Sequence, residues 1–268
     1  MLKDITLGQY FPGKSVIHRL DPRTKLIMLV VYIVALFMAV NWVSYGLLAV
    51  FLVSCIAVSG VPAKSFVKGM KPLMFILAFT AILNIFFTTG ETVLVSFWKV
   101  TIYLEGILRA VMMLLRIVML IAGTFLLTYT TSPISLTDGL ESLLGPLKVI
   151  KVPVHELSMM MCIALRFIPT LIEETDKIMS AQKARGADFE TGKLMDRVKA
   201  LVPILVPLFV SAFRRADELA TAMECRRYQG GEGRTKMKLL RFRRFDIVSF
   251  ALGVLLIAGV CVLRRFGL

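Results

Sequence analysis

The stretch Leu26–Val61 constrains this chain more than any other, because its apolar run is interrupted only at Asn41-Trp42. As one helix it would be about 54 Å long, far more than the roughly 30 Å of a bilayer's hydrocarbon core. An amide beside an aromatic suits the membrane interface, so the run is expected to break there into spans at Leu26–Trp42 and Val43–Val61. Pro62–Pro72, with Lys64, Lys68 and Lys71, reads as a short basic loop, and Leu73–Thr89 as a third span. Gly90–Thr101 is a short connection, Ile102–Thr131 holds the fourth span and Phe245–Leu263 the fifth. Composition agrees: 57% of the 268 residues are hydrophobic and 19% charged, whereas soluble domains carry about a quarter charged residues. The expected fold class is an all-α integral membrane protein of about five transmembrane helices plus a helical insert. Its parts are a 1–25 N-terminal segment, membrane helices over 26–131, a 132–244 insert and a C-terminal span over 245–268.

Charge sets the expected orientation. Against 18 Asp+Glu stand 32 Lys+Arg, a net +14. Lys3, Lys14, Arg19, Arg23 and Lys25 precede the first span and three lysines follow the second, whereas the Asn41 turn has none and Gly90–Thr101 only Lys99. The positive-inside rule then puts the N-terminus and the 132–244 insert in the cytoplasm and the C-terminus outside, in a multi-pass cell-membrane protein. The basic residues flank apolar spans, which favours anionic lipid over nucleic acid as their counterpart.

The insert carries helical periodicity. Leu157, Met160, Met161, Ala164, Leu165, Ile168, Leu171, Ile172 and Ile178 follow the i, i+3, i+4 pattern, with Gly186 as the stop. A second helix is expected over about Lys193–Arg227, kinked at Pro203 and Pro207. At an offset of 41 residues, Asp176, Ser180, Ala181 and Arg185 fall on Asp217, Thr221, Ala222 and Arg226, which points to two equivalent arms. A small-residue stripe at Ala212, Ala216 and Ala220 is expected to let the two helices pack closely, as a crossed pair.

Several chemical motifs fail on context. Gly8-Gln-Tyr-Phe-Pro-Gly13-Lys14-Ser15 has the nucleotide-loop spacing, yet it lacks the strand and helix that make such a loop bind phosphate. His155-Glu156-Leu-Ser-Met159 is one histidine short of a zinc-protease helix. Cys55, Cys162, Cys225 and Cys261 have neither metal nor disulfide spacing. No catalytic residues, metal site or cofactor of its own are expected. Glu105, Arg109 and Arg116 lie in the fourth apolar run, where a charge requires a partner or an interface. Glu105 and Arg109 are spaced to pair at i, i+4, and Arg116 is the best candidate for facing another subunit.

The sharpest feature is the pair of helix tips, Ala184-Arg185-Gly186 and Cys225-Arg226-Arg227. An arginine flanked by small residues at a helix end can reach a groove and hold a carboxylate with two hydrogen bonds. These tips, with Gly8-Gln-Tyr-Phe-Pro-Gly13, His18-Arg-Leu-Asp-Pro-Arg-Thr-Lys25, Thr130-Thr-Ser-Pro133 and Leu165-Arg-Phe-Ile-Pro169, resemble the transmembrane T subunit of energy-coupling factor transporters. The resemblance covers essentially the whole chain. It implies a non-enzymatic coupling subunit for uptake of a vitamin or metal ion, partnered by two ABC-type ATPases that bind the ATP and by a substrate-binding S subunit. It also implies that the two tips dock the ATPases, each in a surface groove. The family's short motif is Ala-Arg-Gly; the first tip matches it, while Cys225 and Arg227 depart from it in the second. Met159, Met160, Met161 and Arg116 are the candidate S-subunit contacts. The alternative is a polytopic enzyme acting on an anionic lipid or isoprenoid, which would need clustered carboxylates or histidines near the interface.

Overall fold

The structure is a computed structural model that describes residues 10–89, 92–97, 100–187, 189, 194–231 and 239–266. The chain divides into two compact units, one comprising Gly8–Ser142 with Leu240–Leu268 and the other containing Leu143–Leu239.

The first unit opens with α1 (Val16–Arg19), followed by α2 (Pro22–Met38) and α3 (Trp42–Ser59). Asp21 caps α2 by accepting from the Arg23 N–H, and Pro22 sits at the first helical position, where its missing donor costs nothing. The break between α2 and α3 falls at Asn41, as expected. Trp42 belongs to the second helix rather than the first, because Ala39 already closes α2 in an extended conformation. The segment read as a basic loop is instead helical: α4 (Ala63–Met70) runs through a 3₁₀ turn (Lys71–Leu73) into α5 (Met74–Phe87). Lys64, Lys68 and Lys71 recur at i, i+4, i+7, a polar helix face opposite the buried Phe66.

Among the described residues, the hairpin of β1 (Val93–Phe97) and β2 (Val100–Tyr103) is the exception to an otherwise helical arrangement, with Val95 opposite Ile102 and Phe97 opposite Val100. It leads into α6 (Leu104–Thr130), whose 27 residues span about 40 Å. α7 (Pro133–Leu143) follows, and α10 (Arg244–Phe266) completes the unit. The core lies where α2, α3, α6 and α10 meet: Tyr32, Ala35, Leu36, Leu48, Met119 and Val260 are buried together. Tyr129, almost wholly buried, stacks on Phe125, meets Phe66 edge-on and donates its hydroxyl to the Ser65 carbonyl, fastening α4 to α6.

The second unit contains a 3₁₀ segment (Gly145–Ile150), α8 (Val154–Ala184) and α9 (Leu194–Cys225). Among the described residues five helices are long and apolar enough to cross a membrane: α3, the continuous Ala63–Phe87, α6, α8 and α10. α2 has 17 residues and places Tyr32, Ala35 and Leu36 in the core of the first unit.

Candidate functional site

The two arginine tips are built by the same set of backbone bonds. At the end of α8 the Ala187 N–H donates to the Gln182 carbonyl and the Gly186 N–H to the Lys183 carbonyl, both at 3.0 Å. This is the bond pair of a Schellman stop, which needs one residue in the left-handed region. Gly186 takes it at φ +87°. Forty-one residues on, α9 ends identically: Tyr228 donates to Met223 at 3.0 Å and Arg227 to Glu224 at 2.8 Å, with Arg227 left-handed at φ +53°. The Ser180 hydroxyl donates to the Asp176 carbonyl at 2.7 Å, and Thr221 does the same to Asp217 at 2.9 Å. The repeat seen in the residues is therefore a repeat of structure. Arg185 and Arg226 occupy the equivalent cap positions, and both are exposed. Ala184 and Cys225 beside them are exposed too.

α8 and α9 pack in opposite directions. Arg215 Nη2 meets Glu174 Oε2 at 2.8 Å, while Gln182 Nε2 reaches the Pro203 carbonyl at 3.5 Å, so advancing along one helix retreats along the other. At the far end Gly231 lies against the His155 ring, too close for a Cβ to fit. The tips therefore sit at opposite ends of the pair, about 35 Å apart at 1.5 Å per residue from Pro203 to Arg226. Glu174 and Arg215 are themselves related by the offset of 41. Two equivalent positions touching each other mark a local pseudo-two-fold axis between the arms.

The expected alanine stripe is not the packing face. Ala216 and Ala220 are exposed, and the covered side of α9 runs through Ile204, Leu208, Ala212, Arg215, Leu219 and Met223. That face offers longer side chains, which remove more apolar area from water than alanine can. α9 also carries a broad uncovered apolar face, Leu201, Leu205, Val206, Phe209, Val210 and Phe213, each 46–73% exposed. On α8, Met160 is 53% and Met161 37% exposed and Met159 is half-buried, alongside exposed Leu157.

Arg116 is held within its own unit. Its Nε donates to the Tyr45 hydroxyl at 2.9 Å and its Nη2 to the Ala39 carbonyl at 3.1 Å, and its guanidinium lies 5.7 Å from the Phe37 and Tyr45 ring centres. It thereby satisfies a carbonyl that α2 leaves open at its C-terminus and ties the α2–α3 turn to α6. Glu105 accepts from both the backbone and the hydroxyl of Thr92, joining α6 to the segment before the hairpin. Ser15, in the nucleotide-loop look-alike, caps the four-residue α1 and binds His18 Nδ1 at 2.7 Å; Gly8 lies outside the described residues.

The family described as CbiQ, cobalt transport protein, matches residues 13–237. The chain is 52% identical over 264 residues to "Energy-coupling factor transporter transmembrane protein EcfT" of Ruminiclostridium cellulolyticum, with 98% of each chain covered. It is 54% identical over 266 residues to the protein of that name in Clostridium kluyveri, covering 99% of this chain and 98% of that one. The Bacillus subtilis protein of the same name is 48% identical over 265 residues, covering 99% of this chain and all of the other. These relatives are transporter components, and nothing in them supports the alternative of a lipid-active enzyme. The chain belongs to this family, as a multi-pass, non-catalytic transmembrane subunit of an energy-coupling factor transporter.

Proposed function

We propose that this subunit couples two cytoplasmic ABC-type ATPases to a substrate-binding S subunit, for uptake of a vitamin or metal ion across the cell membrane. The observation that carries the reading is the pair of identical helix stops, each presenting one exposed arginine, at opposite ends of α8 and α9. A pseudo-two-fold pair of arms suits a two-fold pair of partners, since each arm then offers the same cap to the same groove. In a groove that excludes water, each guanidinium can hold a carboxylate through two charge-assisted hydrogen bonds. Arg227 supplies the left-handed residue of the second stop, and Arg226 keeps the docking role.

The orientation follows from the Lys/Arg asymmetry: N-terminus and 132–244 in the cytoplasm, C-terminus outside. α8 is apolar in its first half, but Glu173, Glu174, Asp176, Lys177 and Lys183 in its second half would each be costly inside hydrocarbon. It is read as part of the cytoplasmic insert, and α2 as the first span. The uncovered apolar residues of α9 and, toward the other end of the pair, Met159, Met160 and Met161 of α8 are apolar surfaces of the kind a separate membrane subunit can cover. Motion of the arms on ATP binding would then be delivered to the S subunit there. ATP is bound by the partners, and this chain holds no cofactor.

The test is a mild-detergent pull-down of the tagged chain and its Arg185→Glu and Arg226→Glu variants, with every retained protein identified and counted. Two ATPases and a small membrane protein on the wild type, and fewer ATPases on either variant, are the expected result. Full ATPase retention by both variants would remove the basis of the assignment.

A further inference from the structure

The first turn of α2 does something no motif reading assigned to it. The chain leaves the membrane unit toward Leu143–Leu239 by way of α7 and returns through 240–243, and both segments are fastened to the same five residues, Asp21–Lys25. On the outgoing side, Lys25 Nζ donates to the Thr130 carbonyl at 2.8 Å and to the Thr131 hydroxyl at 3.2 Å. Its third acceptor is the His18 carbonyl at 3.5 Å. Gly139 of α7 lies so close to Pro22 and Arg23 that an added Cβ would stand 2.9 Å from the Pro22 Cβ and 3.3–3.4 Å from backbone. On the returning side, Arg23 Nη2 donates to the Leu240 carbonyl at 3.3 Å, and its guanidinium sits 5.3 Å over the Phe242 ring. The Asp246 carboxylate then joins two helix starts: Oδ1 accepts from the Asp21 N–H at 2.9 Å and Oδ2 from the Arg243 N–H at 2.6 Å.

Asp246 is wholly buried and Lys25 is 8% exposed. Charged groups this deep are costly unless their hydrogen bonds are made, so the cluster has one low-energy geometry and resists slipping. Apolar packing alone would hold these segments with less directional stiffness.

We infer that Asp21–Lys25 with Asp246 is the anchor at which movement of the Leu143–Leu239 unit is passed to the membrane helices, Lys25 and Asp246 acting as positioning residues. This rests on the coupling function proposed above. Loosening the anchor lets the arms move without carrying the spans, so ATP is hydrolysed with little transport.

The experiment uses the assembled transporter in proteoliposomes, with tritiated B-group vitamins as probes and ATP hydrolysis measured in the same preparation. Lys25→Met deletes all three donated bonds at nearly constant volume, Thr131→Val removes one acceptor, and Asp246→Asn leaves one acceptor oxygen for two donors. The expected result is unchanged subunit composition and ATP hydrolysis, with vitamin transported per ATP falling about three- to tenfold for Lys25→Met and less for the others. A merely structural role would lower assembly or thermal stability and leave that ratio unmoved in the complexes that survive. An unchanged ratio in assembled Lys25→Met and Thr131→Val complexes overturns the anchor. If Lys25→Met fails to assemble, the milder Thr131→Val decides alone. Failure of the underlying coupling reading appears separately, as absence of ATPases from the wild-type preparation.

Discussion

The ends of α8 and α9 make the same hydrogen bonds from different residues. At the left-handed position one arm has Gly186 at φ +87° and the other Arg227 at φ +53°. Glycine adopts that region freely, whereas an L residue with a Cβ meets a penalty of about 1–2 kcal/mol there. The bonds form in both arms nonetheless, so the stop is imposed by chain geometry and by the need to satisfy the last carbonyls. What the two arms share is the position of the arginine before the left-handed residue. A motif written as Ala-Arg-Gly therefore has one member that projects and one that shapes the backbone, and on the docking role proposed above only the first has to be arginine.

The comparison breaks most directly at the projecting residues. If the arms are equivalent, Arg185→Glu and Arg226→Glu each weaken retention of one ATPase by more than about tenfold, as expected when one partner of a desolvated charge pair is reversed. A counted pull-down reads this, and a much smaller loss for Arg226→Glu would mean that Arg227 shares the docking. Next come the shaping residues. Gly186→Arg should loosen the last turn of α8 by about 1–2 kcal/mol, read as faster hydrogen exchange at the amides of positions 185 and 186. There is open space around Gly186, so backbone strain alone accounts for the cost. In the other arm, Arg227→Gly should tighten the end of α9 by about 1 kcal/mol and slow exchange at the Tyr228 amide. The smallest effect lies on the pseudo-two-fold. Glu174→Gln should cost about 0.2–1 kcal/mol, since both partners are partly exposed, and a Glu174→Arg, Arg215→Glu swap should recover most of the loss of either single reversal. Equal thermal stability of singles and double would show that the pair contributes nothing to holding the arms.

Much of this was legible in the residues because it is local. Apolar runs longer than a bilayer core report spans, and the 41-residue offset reports two like arms, since helical periodicity and caps depend on neighbours a few positions away. Other features depended on distant neighbours. Alanines at i, i+4, i+8 look like a close-packing stripe, yet Ala216 and Ala220 face outward because Ile204, Leu208 and Leu219 dictate which face turns inward. Lysines between two prolines look like a loop, yet Lys64, Lys68 and Lys71 lie on one side of a helix that Phe66 and Tyr129 hold in place. Arg116 in an apolar run invited an external partner, and it found one in the end of α2.

The sequence by itself determined the class of the molecule, most of its long apolar helices and the two arginine-bearing helix ends, because hydrophobic length and helix-end chemistry are written over short stretches of chain. Only the tertiary structure decided that α8 and α9 run in opposite directions about Glu174–Arg215 and that Asp21 and Asp246 meet. Those facts concern groups tens to hundreds of residues apart, up to the 225 positions between Asp21 and Asp246. Such distant groups come together only when burial forces polar atoms to find partners wherever the fold has brought them.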